Sequence, residues 1–260
     1  MSGYSVADKV ILVCGGTSGI GEATARRLAA AGAHVMLAGR RQALGEAIAA
    51  DLRQAGHQAD FLAADMTVDC DAERLVDRVM SMHGRLDGAV NTAGSFDAAG
   101  PLTELDVKAW RTELDTNLTS VFLGLKYQLR AMLQAGVQGS VVNNAAVGGT
   151  SGFAGMSAYC AAKHGVIGLT RSAALEVADR GVRINALVIG TVDTPMLRKG
   201  QGLGPSDPLP SAKPVPAGRI ASAGEIAGFT QFLLSDDAGY ITGAALPIDG
   251  GLSAQCLPAR

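Results

Sequence analysis

Lys9-Val10-Ile11-Leu12-Val13-Cys14-Gly15-Gly16-Thr17-Ser18-Gly19-Ile20-Gly21 is the stretch that decides the fold. Lys9 to Cys14 is an apolar run of strand length, rich in branched residues. A turn with glycines at 15, 19 and 21 follows directly. A helical pattern then runs from about Gly19 to Ala31, with Ile20, Ala23, Leu28 and Ala31 at apolar positions, and Gly32 supplies its stop. Glycines at such a strand-to-helix junction permit a tight turn and let a pyrophosphate approach the backbone. The helix N-terminus adds free N–H groups and a partial positive charge. A bare glycine-rich turn with no ligand is the plainer alternative.

The same unit recurs along the chain. His34–Ala38, Gln58–Ala63, Asp87–Asn91, Gly139–Ala145, Val182–Val188 and Ala245–Ile248 read as further strands. Helical patterns lie between them: to about Ala55, from about Asp71 to Met82, Asp106 to Gln134, Ser157 to Arg180 and Ala223 to Leu234. Strands that are apolar on both faces and alternate with helices demand a parallel sheet covered on both sides, with right-handed crossovers. The expected fold class is therefore α/β: one doubly wound, Rossmann-like domain over residues 1–260, its sheet of about seven strands flanked by helices on both faces. Gly190 to Ala217 breaks the pattern with a cluster of prolines and glycines, from Pro195 to Pro216. An irregular segment of that length in a compact domain is usually functional, and residues 190–217 are expected to form a substrate lid.

Composition narrows the function classes. The 22 basic and 24 acidic residues nearly cancel, so no nucleic-acid or anionic-membrane partner is indicated. No apolar run reaches bilayer length, and no signal-peptide pattern opens the chain. Cys14, Cys70, Cys160 and Cys256 lack ligand spacing. They read as reduced thiols of a cytoplasmic protein, with neither a disulfide frame nor a metal site. Trp110, Phe122 and Tyr127 read as packing residues, and His34, His57, His83 and His164 as surface or interelement residues. Arg198, Lys199 and Lys213, on the irregular segment, read as solvated unless that segment closes on an anionic substrate.

The chemistry gathers in Ser157-Ala158-Tyr159-Cys160-Ala161-Ala162-Lys163. Tyr159 and Lys163 are four apart on a helix, on one face. A phenol titrates near pH 10 and is a poor acid–base group at neutrality, whereas a neighbouring ammonium favours the phenolate. Such a pair is a route to proton transfer near neutral pH. Taken alone, it is far more readily a packed ring and a solvated amine, because motif matches are cheap. What weighs against that is position: every motif singled out lies at a strand's carboxyl end, where open α/β sheets bind ligands.

Together these motifs resemble the classical branch of the short-chain dehydrogenase/reductase family, across essentially the whole chain. Gly15-x3-Gly19-x-Gly21 is similar to its TGxxxGIG turn, with Cys14 for Thr. Asn91-Thr92-Ala93-Gly94 is similar to its NNAG. Thr116-Asn117 falls where it has a helix Asn, and Tyr159 and Lys163 match its YxxxK. Residues 188–195 after Asn185 resemble its N-x-x-x-P-G-x-x-x-T segment, with Ile189 replacing Pro. The resemblance implies a catalytic trio of Tyr159, Lys163 and Asn117. It implies a dinucleotide held by Gly15, Thr17, Ser18, Gly19, Ile20 and Gly21; by Asp65 and Met66 at the adenine; by Asn91, Ala93 and Gly94 at the ribose and sheet end; and by Val192 and Thr194 at the nicotinamide. Tyr159 and Lys163 would touch it too. Asn117 would hold a helix break and a proton-relaying water. A dimer or tetramer of identical chains, a homotetramer by preference, is implied through the long helices.

Two positions depart from the commonest pattern. NAD enzymes place an acid about twenty residues past the glycine turn. Here stand Gly39, Arg40 and Arg41, with no carboxylate to repel a 2′-phosphate and two guanidiniums to pair with it. The expected cofactor is NADP, with NAD possible, and the expected substrate a small carbonyl or alcohol. The family's catalytic Ser, thirteen residues before its Tyr, is replaced by Ala146. Losing one such donor typically costs about a hundred- to a thousandfold in rate. Three outcomes stand open: Asn144, Thr150 or Ser151 supplies the donor; the substrate brings its own polarisation; or the chain binds nucleotide with little turnover, as a sensor or partner subunit.

Overall fold

A computed structural model describes residues 4–255. Cys256 and the first three residues of the polar arm lie outside the described residues. In chain order the elements are β1 (Val10–Cys14), α1 (Gly19–Ala30), β2 (His34–Gly39), α2 (Gln42–Gln54), β3 (Ala59–Ala63), α3 (Asp69–His83), β4 (Gly88–Asn91), α4 (Val107–Leu114), α5 (Ser120–Gln134), β5 (Ser140–Asn144), α6 (Ser157–Val177), β6 (Arg183–Ile189), β7 (Val192–Asp193), α7 (Pro195–Gly200), β8 (Ala221–Ser222), α8 (Ala223–Leu234) and β9 (Ala245–Ile248).

Seven strands form one sheet in the order β3-β2-β1-β4-β5-β6-β9, parallel throughout. Strand order reverses between β1 and β4, and the two diverging connections open a crevice at that sheet edge. Side chains alternate across the pleat. Along β1, Val10, Leu12 and Cys14 pack with α3, α5 and α6, while Ile11 and Val13 pack with α1, α2 and α8. This double burial is why the strands read as unbroken apolar runs.

The long helical pattern before β5 is two helices joined by a π-helical stretch, Asp115–Thr119, with Asn117 inside it. Asp106 caps α4, accepting from Ala109 N at 2.9 Å. The segment expected to be irregular contains α7, with Pro195 in its first turn and Thr194 as its cap. Its ends are tied by the short parallel pair β7–β8. Arg198 is not solvated as expected: it forms a two-pronged pair with Asp193, at 2.7 and 3.0 Å. Phe122 is likewise not packed but 47% exposed on α5. Among the described residues, no helix is long and apolar enough to cross a membrane.

Candidate active site

The glycine turn has the geometry its residues allow. Gly15 and Gly19 have φ of +85° and +54°, conformations that disfavour a side chain. A Cβ on Gly21 would lie 2.2 Å from the Gly15 carbonyl oxygen, so helix and turn approach as closely as two backbones can. Ser18 stands at the N-cap of α1 without a side-chain capping bond, which leaves the first N–H groups free for an anion. Arg41 reaches over the turn and donates to Thr17 Oγ1 at 2.8 Å and Ser18 Oγ at 2.7 Å. Arg40 is exposed, 3.8 Å from Asp65. Burial opposes ionisation of Asp65, but two bonds from Thr67 and the Arg40 charge outweigh it and lower its pKa.

These residues border a cleft of about 550 Å³. Gly15, Thr17, Ser18, Gly19, Ile20, Gly21, Arg40, Arg41, Asp65, Met66, Ala93, Gly94 and Thr194 all line it. Asn91 does not. Its amide donates to Gln128 Oε1 and Asn143 Oδ1 and accepts from Gln128 Nε2, a buried network that turns the side chain away from the crevice. Three internal bonds therefore occupy the Asn91 side chain. Val192 is buried in the core cluster and does not line the cleft.

Tyr159 and Lys163 stand one turn apart on α6. Lys163 is 5% exposed, donates to the Asn144 carbonyl at 3.0 Å and lies 5.6 Å from the centre of the Tyr159 ring. Phe96, from the loop after β4, packs edge-on against that ring with centroids 5.6 Å apart. Burial pushes Tyr159 up to about 12, reinforced by the charges of Glu113 and Cys160. Burial pushes Lys163 down to about 8, with Glu113 opposing. The expected depression of the phenol by the amine is thus absent from the protein alone, because desolvation acts on both groups and weakens the cation.

The Lys163 shift has a consequence for stability. Folding carries the amine from its ordinary value of 10.5 to about 8, so below pH 8 the native state bears an unfavourable buried charge. Between pH 8 and 10.5 the unfolded chain binds more protons, and stability rises with pH. Lys163→Met is expected to raise the melting temperature most below pH 8, with the gain shrinking toward pH 10.5. Calorimetry of both proteins across that range checks it.

Asn117 joins α4 to the loop. Its Nδ2 donates to Ser95 O at 3.0 Å and to Glu113 O and Oε1, both at 3.1 Å, while its Oδ1 accepts from Ser95 N at 3.3 Å. The π-helical stretch around it is the helix break expected of this Asn. Gly94 makes room, since a Cβ there would lie 2.9 Å from Asn117 Oδ1 and 3.7 Å from Lys163 Nζ.

Ala146 is 9% exposed just past β5. Of the three candidate replacements, Thr150 is exposed and spends its hydroxyl on Val147 O at 3.1 Å, and Ser151 is exposed as well. Asn144 lines the cleft, and its buried Oδ1 has no hydrogen-bond partner. Two residues escaped the sequence reading altogether. Phe96 gives no pattern signal. Glu113 sits on a helix among charged residues and reads as solvated, yet it is 1% exposed.

A family model described as Enoyl-(Acyl carrier protein) reductase matches residues 15–253. The 2,5-dichloro-2,5-cyclohexadiene-1,4-diol dehydrogenase of Sphingobium indicum is 41% identical over 96% of this chain and 98% of its own. The chain belongs to the short-chain dehydrogenase/reductase family. It is a nucleotide-binding oxidoreductase of Rossmann-like fold. The cis-4-hydroxycyclohexanecarboxylate dehydrogenase of Sinomonas cyclohexanicum is also 41% identical, over 97% of this chain and 99% of its own. Among solved structures, a point variant of actinorhodin polyketide ketoreductase with NADPH superposes with a TM-score of 0.86 at 35% identity, covering 95% of this chain and 98% of that one.

Proposed function

We propose that this short-chain dehydrogenase/reductase interconverts a secondary alcohol and a ketone on a six-membered carbon ring, with NADP(H) as its preferred coenzyme. The observation that carries the reading is the buried Lys163 amine 5.6 Å from the centre of the Tyr159 ring, with Phe96 packed edge-on against that ring. The ring substrate is supported by the names of the two dehydrogenases above, and by Phe96 and Met196 as apolar lining of the cleft. The cleft's residues fit a dinucleotide: an uncapped helix N-terminus and glycine turn for the pyrophosphate, Asp65 and Met66 for the adenine, Thr194 and the unpartnered Asn144 oxygen toward the nicotinamide.

The bound nicotinamide supplies a hydride acceptor or donor and, when oxidised, a positive charge. In oxidation the Tyr159 oxygen takes the hydroxyl proton; in reduction it returns one to the forming alkoxide. Lys163, buried and titrating at about 8, is poised to pass that proton on, and Asn117 holds the relay's outlet in the helix break. Residues 190–217 act as the lid, with α7 over the cleft and Lys199 bonded to Asp97 at 3.1 Å across its mouth. The enzyme works as a dimer or tetramer through the outer faces of α5 and α6, where Phe122 and Leu175 are exposed. Cytoplasmic residence accords with the unpaired thiols of Cys14, Cys70 and Cys160.

The test is turnover of cyclohexanols and cyclohexanones with NADP(H) and NAD(H). Tight dinucleotide binding with no turnover across a broad panel of alcohols and ketones would overturn the enzymatic reading in favour of a binding homologue. For the coenzyme, Arg41→Ala is expected to lower kcat/KM with NADP about 10- to 100-fold. That is the loss of one charged contact of about 1.5–3 kcal/mol. Activity with NAD should hardly move, and paired steady-state measurements with both coenzymes check it.

A further inference from the structure

We propose that Glu113 is a positioning residue of this active site: it braces the Asn117 amide and the loop that seats Phe96 on Tyr159, and it is the counter-charge of Lys163. The proposal rests on the reading of Tyr159 and Lys163 as the proton-transfer pair.

Glu113 is the one buried residue of α4, a helix otherwise turned to solvent or partly covered. Burying a carboxyl where an apolar side chain would serve is costly unless its oxygens are satisfied. Here both are. Oε1 accepts from Asn117 Nδ2 at 3.1 Å. Oε2 accepts from Asp97 N at 3.2 Å. The loop so gripped carries Phe96, whose ring meets Tyr159. Asp97 continues the chain of contacts outward to Lys199 on α7. One carboxyl thereby links the lid's contact point, the wall over the tyrosine and the Asn117 helix break.

Charge is the second part of the role. Burial raises the Glu113 pKa above the ordinary carboxylate value, with the Lys163 charge opposing, and burial lowers the Lys163 pKa, with the Glu113 charge opposing. The other titratable groups facing this cluster are Asp97 from the loop, and Tyr159 and Cys160 from α6. His164 turns its ring back to the Cys160 carbonyl at 2.9 Å. A carboxylate here disfavours the phenolate and favours the ammonium, so removing it lowers both pKa values. A carboxyl held neutral, or lying far from the pair, would move neither.

The experiment titrates the Tyr159 phenolate by ultraviolet absorbance in the full-length protein with NADP⁺ bound, using Tyr159→Phe as the blank. Glu113→Gln is expected to shift the titration about one pH unit downward. The rising limb of alcohol oxidation should move with it, and the KM for alcohol should rise about tenfold as the loop bonds weaken. Glu113→Asp keeps the charge on a shorter arm. It should titrate like wild type while still raising KM, and it decides the matter if the glutamine variant does not fold. The proposal is overturned by an unchanged titration in Glu113→Gln, or by a shift of equal size in Glu113→Asp. It is also overturned by an activity loss that tracks a lower melting temperature with the pH profile intact. The titration needs no turnover. A protein that shows the shift but oxidises no alcohol would sink the enzymatic reading and leave the link between Glu113 and Tyr159 standing.

Discussion

Tyr159→Phe is expected to lower kcat for alcohol oxidation about 10³-fold, with dinucleotide affinity unchanged. The substitution removes one oxygen and keeps the ring, so the edge-on contact with Phe96 survives. Proton transfer by a positioned side chain is worth about 10²–10⁴ in rate. The pH dependence separates chemistry from packing. Buried and raised to about 12, the phenol is protonated at neutral pH, which is the form that ketone reduction requires. Oxidation requires the phenolate, so the wild-type rate should climb with pH until the oxidised coenzyme's charge has brought the group into range. The residual rate of Tyr159→Phe should lack that limb. Steady-state rates from about pH 6 to 10, with fluorescence titration of NADPH, measure both expectations. A variant that retains most of its activity would remove Tyr159 from the mechanism.

The parts of this molecule that were legible in its sequence are those where one physical requirement dominates. Strands buried on both faces must be apolar throughout, so β1 and β2 stand out with little ambiguity. Helix α8 opens on Ser222 and Glu225, whose reciprocal bonds form a capping box, and its bounds agree with the periodicity. Helix α7 was hidden because its proline-rich neighbourhood masks a short helix that begins with proline. Burial was the hardest property to read. Spacing places Tyr159 and Lys163 on one face, but it cannot say that the amine is desolvated, and the sign of the phenol's shift in the protein alone depends on that. Glu113 fails for the same reason: in a helix that carries Lys108 and Arg111, a glutamate reads as surface charge. Nor does spacing show that Gln128 and Asn143, distant in sequence, hold the Asn91 amide.

Ala146→Ser is expected to raise kcat/KM about a hundredfold, the lower end of what one donor of the oxyanion-hole type contributes. The chain places a methyl group where the family resemblance implies a hydroxyl. Neither nearby hydroxyl fills the gap, since Thr150 is bonded to its own turn and Ser151 faces solvent. Asn144 shares the face of Ala146, because residues two apart on an extended chain point the same way. Its amide lines the cleft with its oxygen unpartnered, beside the backbone carbonyl that holds Lys163. From there it can contact the nicotinamide end of the cleft more readily than a substrate oxygen held by Tyr159. The gain should lie in kcat, because a bond to the developing alkoxide strengthens only as hydride moves. The double variant Ala146→Ser with Asn144→Ala tests the division of labour. If Asn144 serves the coenzyme, its loss weakens dinucleotide binding and leaves the serine's gain in kcat intact. If Asn144 had been the surrogate donor, Ala146→Ser alone would change little and Asn144→Ala alone would cost about as much as the family's serine is worth.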